Sequence, residues 1–286
     1  MQWKGRQQSR NVEDRRRMGA SRGGVAGVGG LGAVVIVVIA LFLGVDPSQL
    51  LQQLDGQGGQ TGGSTAELSA KEQAEGEFVA VTLRDTEVVW TKLFRDQLNR
   101  SYDPATLVLF REGTTSACGT ASEATGPFYC PADQKVYLDT AFFATMRDRL
   151  GAGGDFAAAY VVAHEIGHHV QDELGILSQA NEIRQQVSEV ESNRISVMIE
   201  LQADCLSGIW AREAAHSLGT LEQGDIEEAL NAAAQIGDDT LQKNAGRRPM
   251  PDSFTHGTSE QRMRWFQTGL DSGRIDACNT FEARDL

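Results

Sequence analysis

The sequence is short of positive charge. Its 286 residues contain 26 lysines and arginines against 39 aspartates and glutamates, a formal net charge of −13. Proteins that bind nucleic acid usually present a basic surface to the phosphates, so this balance argues against such a partner. No internal repeat stands out either, and the length suits one large domain or two small ones.

Long apolar runs are also scarce, with one marked exception. The run "VAGVGGLGAVVIVVIALFLGV", residues 25–45, contains no charged or strongly polar side chain. A helix of this length would cross the hydrocarbon core of a bilayer, and seven basic side chains precede it within residues 1–22. We therefore predict an uncleaved transmembrane helix and a single-pass protein of the plasma membrane. Its N-terminus would be cytoplasmic and its main domain extracytoplasmic, either periplasmic or extracellular.

This interpretation divides the chain into four parts. Residues 1–24 form a basic cytoplasmic N-terminus, and residues 25–45 form the membrane helix. Residues 46–70 are rich in Gln, Gly and Ser, lack the apolar content to fold, and are predicted to be a flexible linker. Residues 71–286 then form the folded domain.

The four cysteines all follow the predicted membrane helix, and none has the C-x-x-C spacing of a cysteine metal site. An even number in an exported domain favours disulfides, with three possible connectivities. We expect Cys118 to pair with Cys130, across a short loop rich in Gly and Pro. Cys205 would then pair with Cys278. Four reduced cysteines are the alternative.

Strand patterns are few and helical patterns are many. "ATLVLFRE" and "KVYLD" are typical of short strands, whereas helical patterns dominate after residue 140. The domain is therefore expected to be α+β and helix-rich. The strand "KVYLD", which carries Tyr137, could pair with a substrate backbone if it lies at a sheet edge. The acids of "IGDD", residues 236–239, are interpreted as a solvated helix end.

The segment "VVAHEIGHHVQD", residues 161–172, places ionisable groups on an otherwise apolar helix. His164 and His168 are four residues apart and so lie on one helix face. Two imidazoles in that arrangement can bind zinc, while Glu165 beside them can act as a base on water. His169 points away from His168 and is assigned to the surface or to a supporting position.

A catalytic zinc site needs a third protein ligand and an open position for water. "IELQADCLSGIW" offers Glu200 on a later helix, flanked by apolar residues, and Asp204 one turn further on. Glu200 would complete a His₂Glu ligand set for one zinc ion per chain. Asp204 would accept the outer N–H of a ligand histidine and fix its tautomer.

H-E-x-x-H followed some thirty residues later by E-x-x-A-D resembles the thermolysin-like zincin peptidases. More closely, the chain resembles a bacterial family called putative neutral zinc metallopeptidases, on the pieces "WKGRQQSRNVEDRR", "GPFYCPADQKVYLD", "VVAHEIGHHVQ", "ELQADCLSGIW" and "THGTSEQRMRWFQTGL". The resemblance covers nearly the whole chain. It implies a zincin-like metallopeptidase domain and hydrolysis of peptide or protein substrates with Glu165 as general base. It also implies that His256, in a turn before a late helix, stabilises the transition state.

Two other functions fit the same residues. One is a zinc-stabilised binding or chaperone-like domain without catalysis, which would have no need of Glu165. The other is a metal-dependent hydrolase of cell-wall amide bonds. Oligomeric state and cleavage preference have no signature in the sequence.

Overall fold

The computed structural model describes residues 1–17, 67–122 and 125–286. The strands are β1 (Val12–Asp14), β2 (Thr106–Phe110), β3 (Gly113–Ser116), β4 (Gly119–Ser122), β5 (Phe128–Cys130) and β6 (Lys135–Asp139). The helices are α1 (Ala70–Leu93), α2 (Ala141–Leu150), α3 (Asp155–Glu173), α4 (Ile176–Arg184), α5 (Glu189–Glu213), α6 (Asp225–Gln235), α7 (Asp238–Asn244) and α8 (Ser259–Ser272). This part of the chain is a helix-rich α+β fold.

A four-stranded sheet has the order β1-β2-β6-β5. β1 and β6 run parallel to β2, and β5 is antiparallel to β6. β6 therefore lies between two neighbours, and its backbone is already paired on both sides. The prediction that "KVYLD" could offer an edge to a substrate is wrong, and the edge strand on that side is β5.

Helix α3 lies at the centre of the fold. After the part-exposed Asp155, its first turns "FAAAYVVA" are apolar and buried at every position, and α1, α5, α6 and the sheet pack around them. The long helices that flank it begin at clear capping signals: Ser69 with Glu72 forms a capping box on α1, and Ser188 caps α5. The ionisable residues of α3 are thus held on a buried and rigid element.

The structure corrects the predicted membrane anchor. Within residues 1–17, 67–122 and 125–286, no helix combines the length and the apolar character that a membrane span requires. The two longest, α1 and α5, have 24 and 25 residues but carry charged side chains along their length. The transmembrane helix ahead of the domain and the single-pass plasma-membrane location are therefore not supported. The run 25–45 on which they were based lies outside the described residues.

Residues 1–17, named here the N-terminal segment, pack on the domain. Trp3 meets Phe78 of α1 edge to face, with 5.6 Å between ring centroids. Arg6 forms an ion pair with the buried Asp85 of α1. Together with the pairing of β1 to β2, these contacts make the N-terminal segment part of the same folded body as the helices.

The cysteines lie in two pairs at disulfide distance. The sulfur atoms of Cys118 and Cys130 are 2.02 Å apart, and those of Cys205 and Cys278 are 2.01 Å apart. The first pair closes the loop before β5. The second ties the short helical turn after α8 to the middle of α5.

Candidate metal centre

The two motif histidines and Glu200 meet where α3 crosses α5. A Cβ placed on Gly167 would lie 3.1 Å from the Ala203 carbonyl oxygen and 3.2 Å from the Ala203 Cα, tighter than most real contacts. The missing side chain therefore lets the two helices approach closely at this turn. As a result, the Glu200 carboxylate of α5 reaches both imidazoles of α3.

Three side chains present donor atoms to one point. Nε2 of His164 lies 3.1 Å from Oε2 of Glu200, and Nε2 of His168 lies 3.6 Å from Oε1 of the same carboxylate. One ligand atom from each residue falls within 4.8 Å of the others. In a tetrahedral zinc site with bonds near 2.1 Å, neighbouring donors are about 3.4 Å apart. The donor types and their spacing therefore fit a zinc ion.

Asp204 holds the first histidine from behind. Its Oδ1 lies 2.9 Å from Nδ1 of His164 and accepts the Tyr160 hydroxyl at 2.5 Å. The Arg262 guanidinium of α8 donates to both oxygens, through Nε at 2.8 Å and Nη2 at 3.0 Å. Burial raises the pKa of Asp204, but Arg262 and His164 outweigh it and lower that pKa to about 2. Asp204 is thus an ionised acceptor that directs Nε2 of His164 towards Glu200.

Gln171 holds the second histidine in the same way. Its Oε1 lies 2.8 Å from Nδ1 of His168, one turn earlier on α3. Both ligand imidazoles thus engage Nδ1 away from the site and turn Nε2 into it. Sequence reasoning assigned a role to Asp204 but none to Gln171, Tyr160 or Arg262.

The surroundings favour positive charge at this point. Burial disfavours charge on His164, but Asp204 and Glu200 outweigh it and raise its pKa to about 10. Burial likewise opposes ionisation of Glu200, yet His168 and His256 hold the pKa of this carboxyl well below its usual range. Metal and protons compete for such ligands. The carboxylates of Asp204 and Glu200, which favour protonated imidazoles, also favour a metal cation bound by those imidazoles.

Glu165 lies beside the two motif histidines on α3. Its side chain is buried and makes no hydrogen bond to the described residues. Burial raises the pKa of Glu165, against the opposing effect of His168 and His164. A carboxyl with a raised pKa and no hydrogen bond to the described residues is suited to accept and release a proton.

His256 sits in a loop clamped by Asp238, the first acid of "IGDD". Oδ2 of Asp238 accepts the backbone N–H groups of Thr255, His256 and Gly257 at 2.8, 2.7 and 3.0 Å. Its Oδ1 lies 3.4 Å from Nδ1 of His256. Asp238 is buried, so the expectation of a solvated acid at this position is wrong.

The same loop packs on α5 beside Glu200. Gly257 has a φ of +93°, and a Cβ there would lie 3.1 Å from Leu201 and 3.3 Å from Val197. Burial lowers the pKa of His256, and the carboxylates of Glu200 and Asp238 more than offset this and raise it. The structure therefore places His256 next to the turn of α5 that carries Glu200.

His169 does not join the centre. It is buried on the opposite side of α3, where Nε2 contacts the Asp103 carbonyl oxygen at 2.7 Å and Nδ1 lies 3.1 Å from the Tyr129 hydroxyl. It therefore supports the packing of the loop before β2.

Known proteins match this chain over almost its whole length. The family described as "Putative neutral zinc metallopeptidase" matches residues 1–281. The uncharacterized protein YpfJ of Escherichia coli K12 is 46% identical over 291 aligned positions, covering 98% of this chain and 99% of that protein. The uncharacterized proteins Rv2575 of Mycobacterium tuberculosis and Mb2605 of Mycobacterium bovis are each 38% identical over 263 positions, covering 86% of both chains. No solved structure matches.

Proposed function

The chain belongs to the putative neutral zinc metallopeptidase family, and from this premise we propose that it hydrolyses peptide bonds in peptide or protein substrates. The observation that carries the proposal is the meeting of His164, His168 and Glu200 beside Glu165, a buried carboxyl that makes no hydrogen bond to the described residues. A purely structural zinc site has no use for such a carboxyl, since structural sites are closed by four protein ligands.

The three donors would hold one zinc ion, with Nε2 of each imidazole and the Glu200 carboxylate as ligands. When bound, zinc supplies Lewis-acid polarisation of a carbonyl and a lowered pKa for water. Asp204 and Gln171 keep the two imidazoles in the tautomer that presents a lone pair to the ion. Only three protein ligands are offered within the described residues, which leaves a position for water and substrate.

Glu165 is the proposed general base. It would take a proton from the attacking water and pass it to the nitrogen of the leaving amine. Because its side chain is buried and has no hydrogen-bond partner in the described chain, its carboxylate is not committed elsewhere. The raised pKa brings the acid closer to the range in which a proton can be both taken and returned.

His256 is the proposed donor to the oxyanion. Asp238 holds the backbone of the loop and its Oδ1 lies 3.4 Å from Nδ1 of the ring. Although burial opposes it, the carboxylates of Glu200 and Asp238 raise the pKa of His256 and so favour the imidazolium, whose Nε2 carries a proton to donate. A positioned donor at the developing negative charge is the usual complement to a Lewis acid in acyl transfer. Asp238 is thus the residue that orients His256.

The proposal is tested by Glu165→Gln in the full chain. We expect the variant to bind zinc as the wild type does and to lose about 10²–10⁴-fold of its hydrolysis of casein, because the base is gone and the ligands remain. Zinc content by elemental analysis and release of labelled casein peptides measure the two quantities.

Glu182→Gln serves as the matched control, since Glu182 is an exposed acid on the neighbouring helix α4. Undiminished hydrolysis by Glu165→Gln would overturn the assignment of the base. A wild-type protein that binds zinc but cleaves neither casein nor a peptide library would favour a binding domain. Release of fragments from purified peptidoglycan alone would favour a cell-wall amide hydrolase.

A further inference from the structure

Two buried glutamine side chains connect His168 to the backbone at Cys278. Nδ1 of His168 lies 2.8 Å from Oε1 of Gln171, and Nε2 of Gln171 donates to Oε1 of Gln202 at 3.0 Å. Nε2 of Gln202 then donates to the Cys278 carbonyl oxygen at 2.9 Å. Gln171 is fully buried and Gln202 nearly so, which means that solvent does not substitute for these partners.

Backbone carbonyls determine the direction of each hydrogen bond in the series from His168 to Cys278. A carbonyl only accepts, so the NH₂ group of Gln202 must face Cys278. The NH₂ group of Gln171 must likewise face the Ile199 carbonyl, to which it donates at 2.8 Å. The oxygen of Gln171 is therefore the atom that faces His168, and Nδ1 of that ring must carry the proton.

We propose that Gln171, Gln202 and the Cys278 carbonyl form a relay that positions His168, keeps its proton on Nδ1 and thereby sets the affinity of the centre for zinc. The inference rests on the proposed zinc site and adds a positioning role for residues that touch neither zinc nor substrate. The far end of the relay is tied to α5 by the pairing of Cys205 with Cys278. The tail after α8 thus becomes a support for the metal centre.

A relay predicts a graded response. Gln171 contacts the ligand directly and is also held by Ile199, so its loss should weaken zinc binding by about 10–100-fold, as for other groups that orient metal ligands. Gln202 acts only through Gln171, so its loss should have a smaller effect in the same direction. Loss of a neighbouring hydrogen bond outside the relay should have none.

The experiment measures the zinc Kd of the full chain by competition with a chromogenic chelator. The variants are Gln171→Leu and Gln202→Leu, with Thr280→Val as the matched control. The Thr280 hydroxyl is buried in the same tail and donates to the Met198 carbonyl at 2.7 Å, outside the relay. We expect the Kd to rise most in Gln171→Leu, less in Gln202→Leu, and not in Thr280→Val.

Rescue separates positioning from general stability. Gln171→Glu keeps an acceptor for Nδ1 of His168. Its second carboxylate oxygen would face the Ile199 carbonyl oxygen and Oε1 of Gln202, which are both acceptors. The variant should therefore lower the unfolding temperature of the metal-free protein. If Gln171 acts by orienting His168, this variant should nevertheless recover most of the zinc affinity lost in Gln171→Leu. Zinc affinities that follow the unfolding temperatures across all variants would overturn the relay.

The disulfide end is tested by a second matched pair. Cys205→Ser/Cys278→Ser should weaken zinc binding, whereas Cys118→Ser/Cys130→Ser should not, because the loop before β5 is not connected to His168 by this relay. A wild-type Kd in Gln171→Leu would overturn the relay and leave the proposed hydrolysis standing. Absence of zinc binding by the wild type would overturn both.

Discussion

Two regions of the molecule share two structural features: a buried carboxylate paired with an arginine, and a glycine at a close contact. Where α8 packs on α5, Arg262 pairs with Asp204, and a Cβ on Gly269 would lie 1.8 Å from a carbonyl oxygen of α5. Where the N-terminal segment packs on α1, Arg6 pairs with Asp85. A glycine of α1, Gly76, faces an arginine side chain there.

The two regions differ in the burial of the ion pair and in the atoms that the glycine faces. The side chain of Arg262 is 2% exposed and its carboxylate partner is fully buried, whereas the side chain of Arg6 is 28% exposed. Gly269 faces backbone, which cannot move alone, whereas Gly76 faces the far end of a flexible side chain. The contact beside the metal centre should therefore tolerate little change, and the contact of the N-terminal segment should tolerate more.

Arg262→Met should have the largest effect. It leaves Asp204 ionised and buried without its main partner, which costs about 3–5 kcal/mol of unfolding free energy. Zinc binding should also weaken, because Asp204 orients His164. Urea unfolding of the metal-free protein and chelator competition measure the two quantities.

Arg264→Met provides the control, since Arg264 is exposed two residues later on the same helix. Equal losses of stability in the two variants would mean that the buried Arg262–Asp204 pair stabilises the fold no more than an exposed arginine does. A loss of stability with unchanged zinc affinity would show that Asp204 holds His164 without help from Arg262.

These contacts mark the limit of sequence-based prediction in this protein. The spacing of His164 and His168 and the search for a third ligand led to a set of residues that the structure brings together at α3 and α5. Arg262 escaped notice and Asp238 was interpreted as a solvated acid, because their roles depend on how distant helices pack and no local pattern encodes that. The sequence shows Arg262 only as a polar residue on an otherwise apolar helix face, and Asp238 only as an acid at the start of a helix.

The N-terminal segment shows the opposite failure. Its arginines were counted as a charge excess and interpreted as a membrane topology signal, whereas Arg6 and Arg16 have specific partners in the fold. Charge counting cannot distinguish a solvated side chain from a paired one. Asp85 lies 79 residues from Arg6 in the sequence, and only the packed structure relates the two.

Arg6→Ala should have an intermediate and pH-dependent effect. Burial raises the pKa of Asp85, and Arg6 opposes that rise. At neutral pH the variant leaves a buried, ionised carboxylate without its arginine partner, at a cost of about 1–2 kcal/mol. Because the cost requires ionised Asp85, it is present above the folded-state pKa and disappears as the pH falls through it.

Unfolding at neutral and at mildly acidic pH tests this, with Arg10→Ala as the control, since Arg10 is exposed in the same segment. Zinc affinity should not change in either variant. A deficit for Arg6→Ala that grows on acidification would contradict the assignment to Asp85. A change in zinc affinity would contradict the separation of the two regions.

Gly76→Ala should have the smallest effect, because two contributions oppose each other. Alanine is favoured over glycine inside a helix by about 1 kcal/mol. The new Cβ would lie 2.3 Å from Nη2 of Arg16, so the guanidinium must move away from its Asp14 partner.

In an Arg16→Ala background that obstacle is absent, and Gly76→Ala should then stabilise the protein by the full helix preference. The double-mutant cycle measured by urea unfolding should therefore give a coupling of about 1 kcal/mol. If the glycine substitution has the same effect in both backgrounds, Arg16 does not occupy the space that Gly76 leaves, and the N-terminal segment packs on α1 less closely than the contact of α8 on α5.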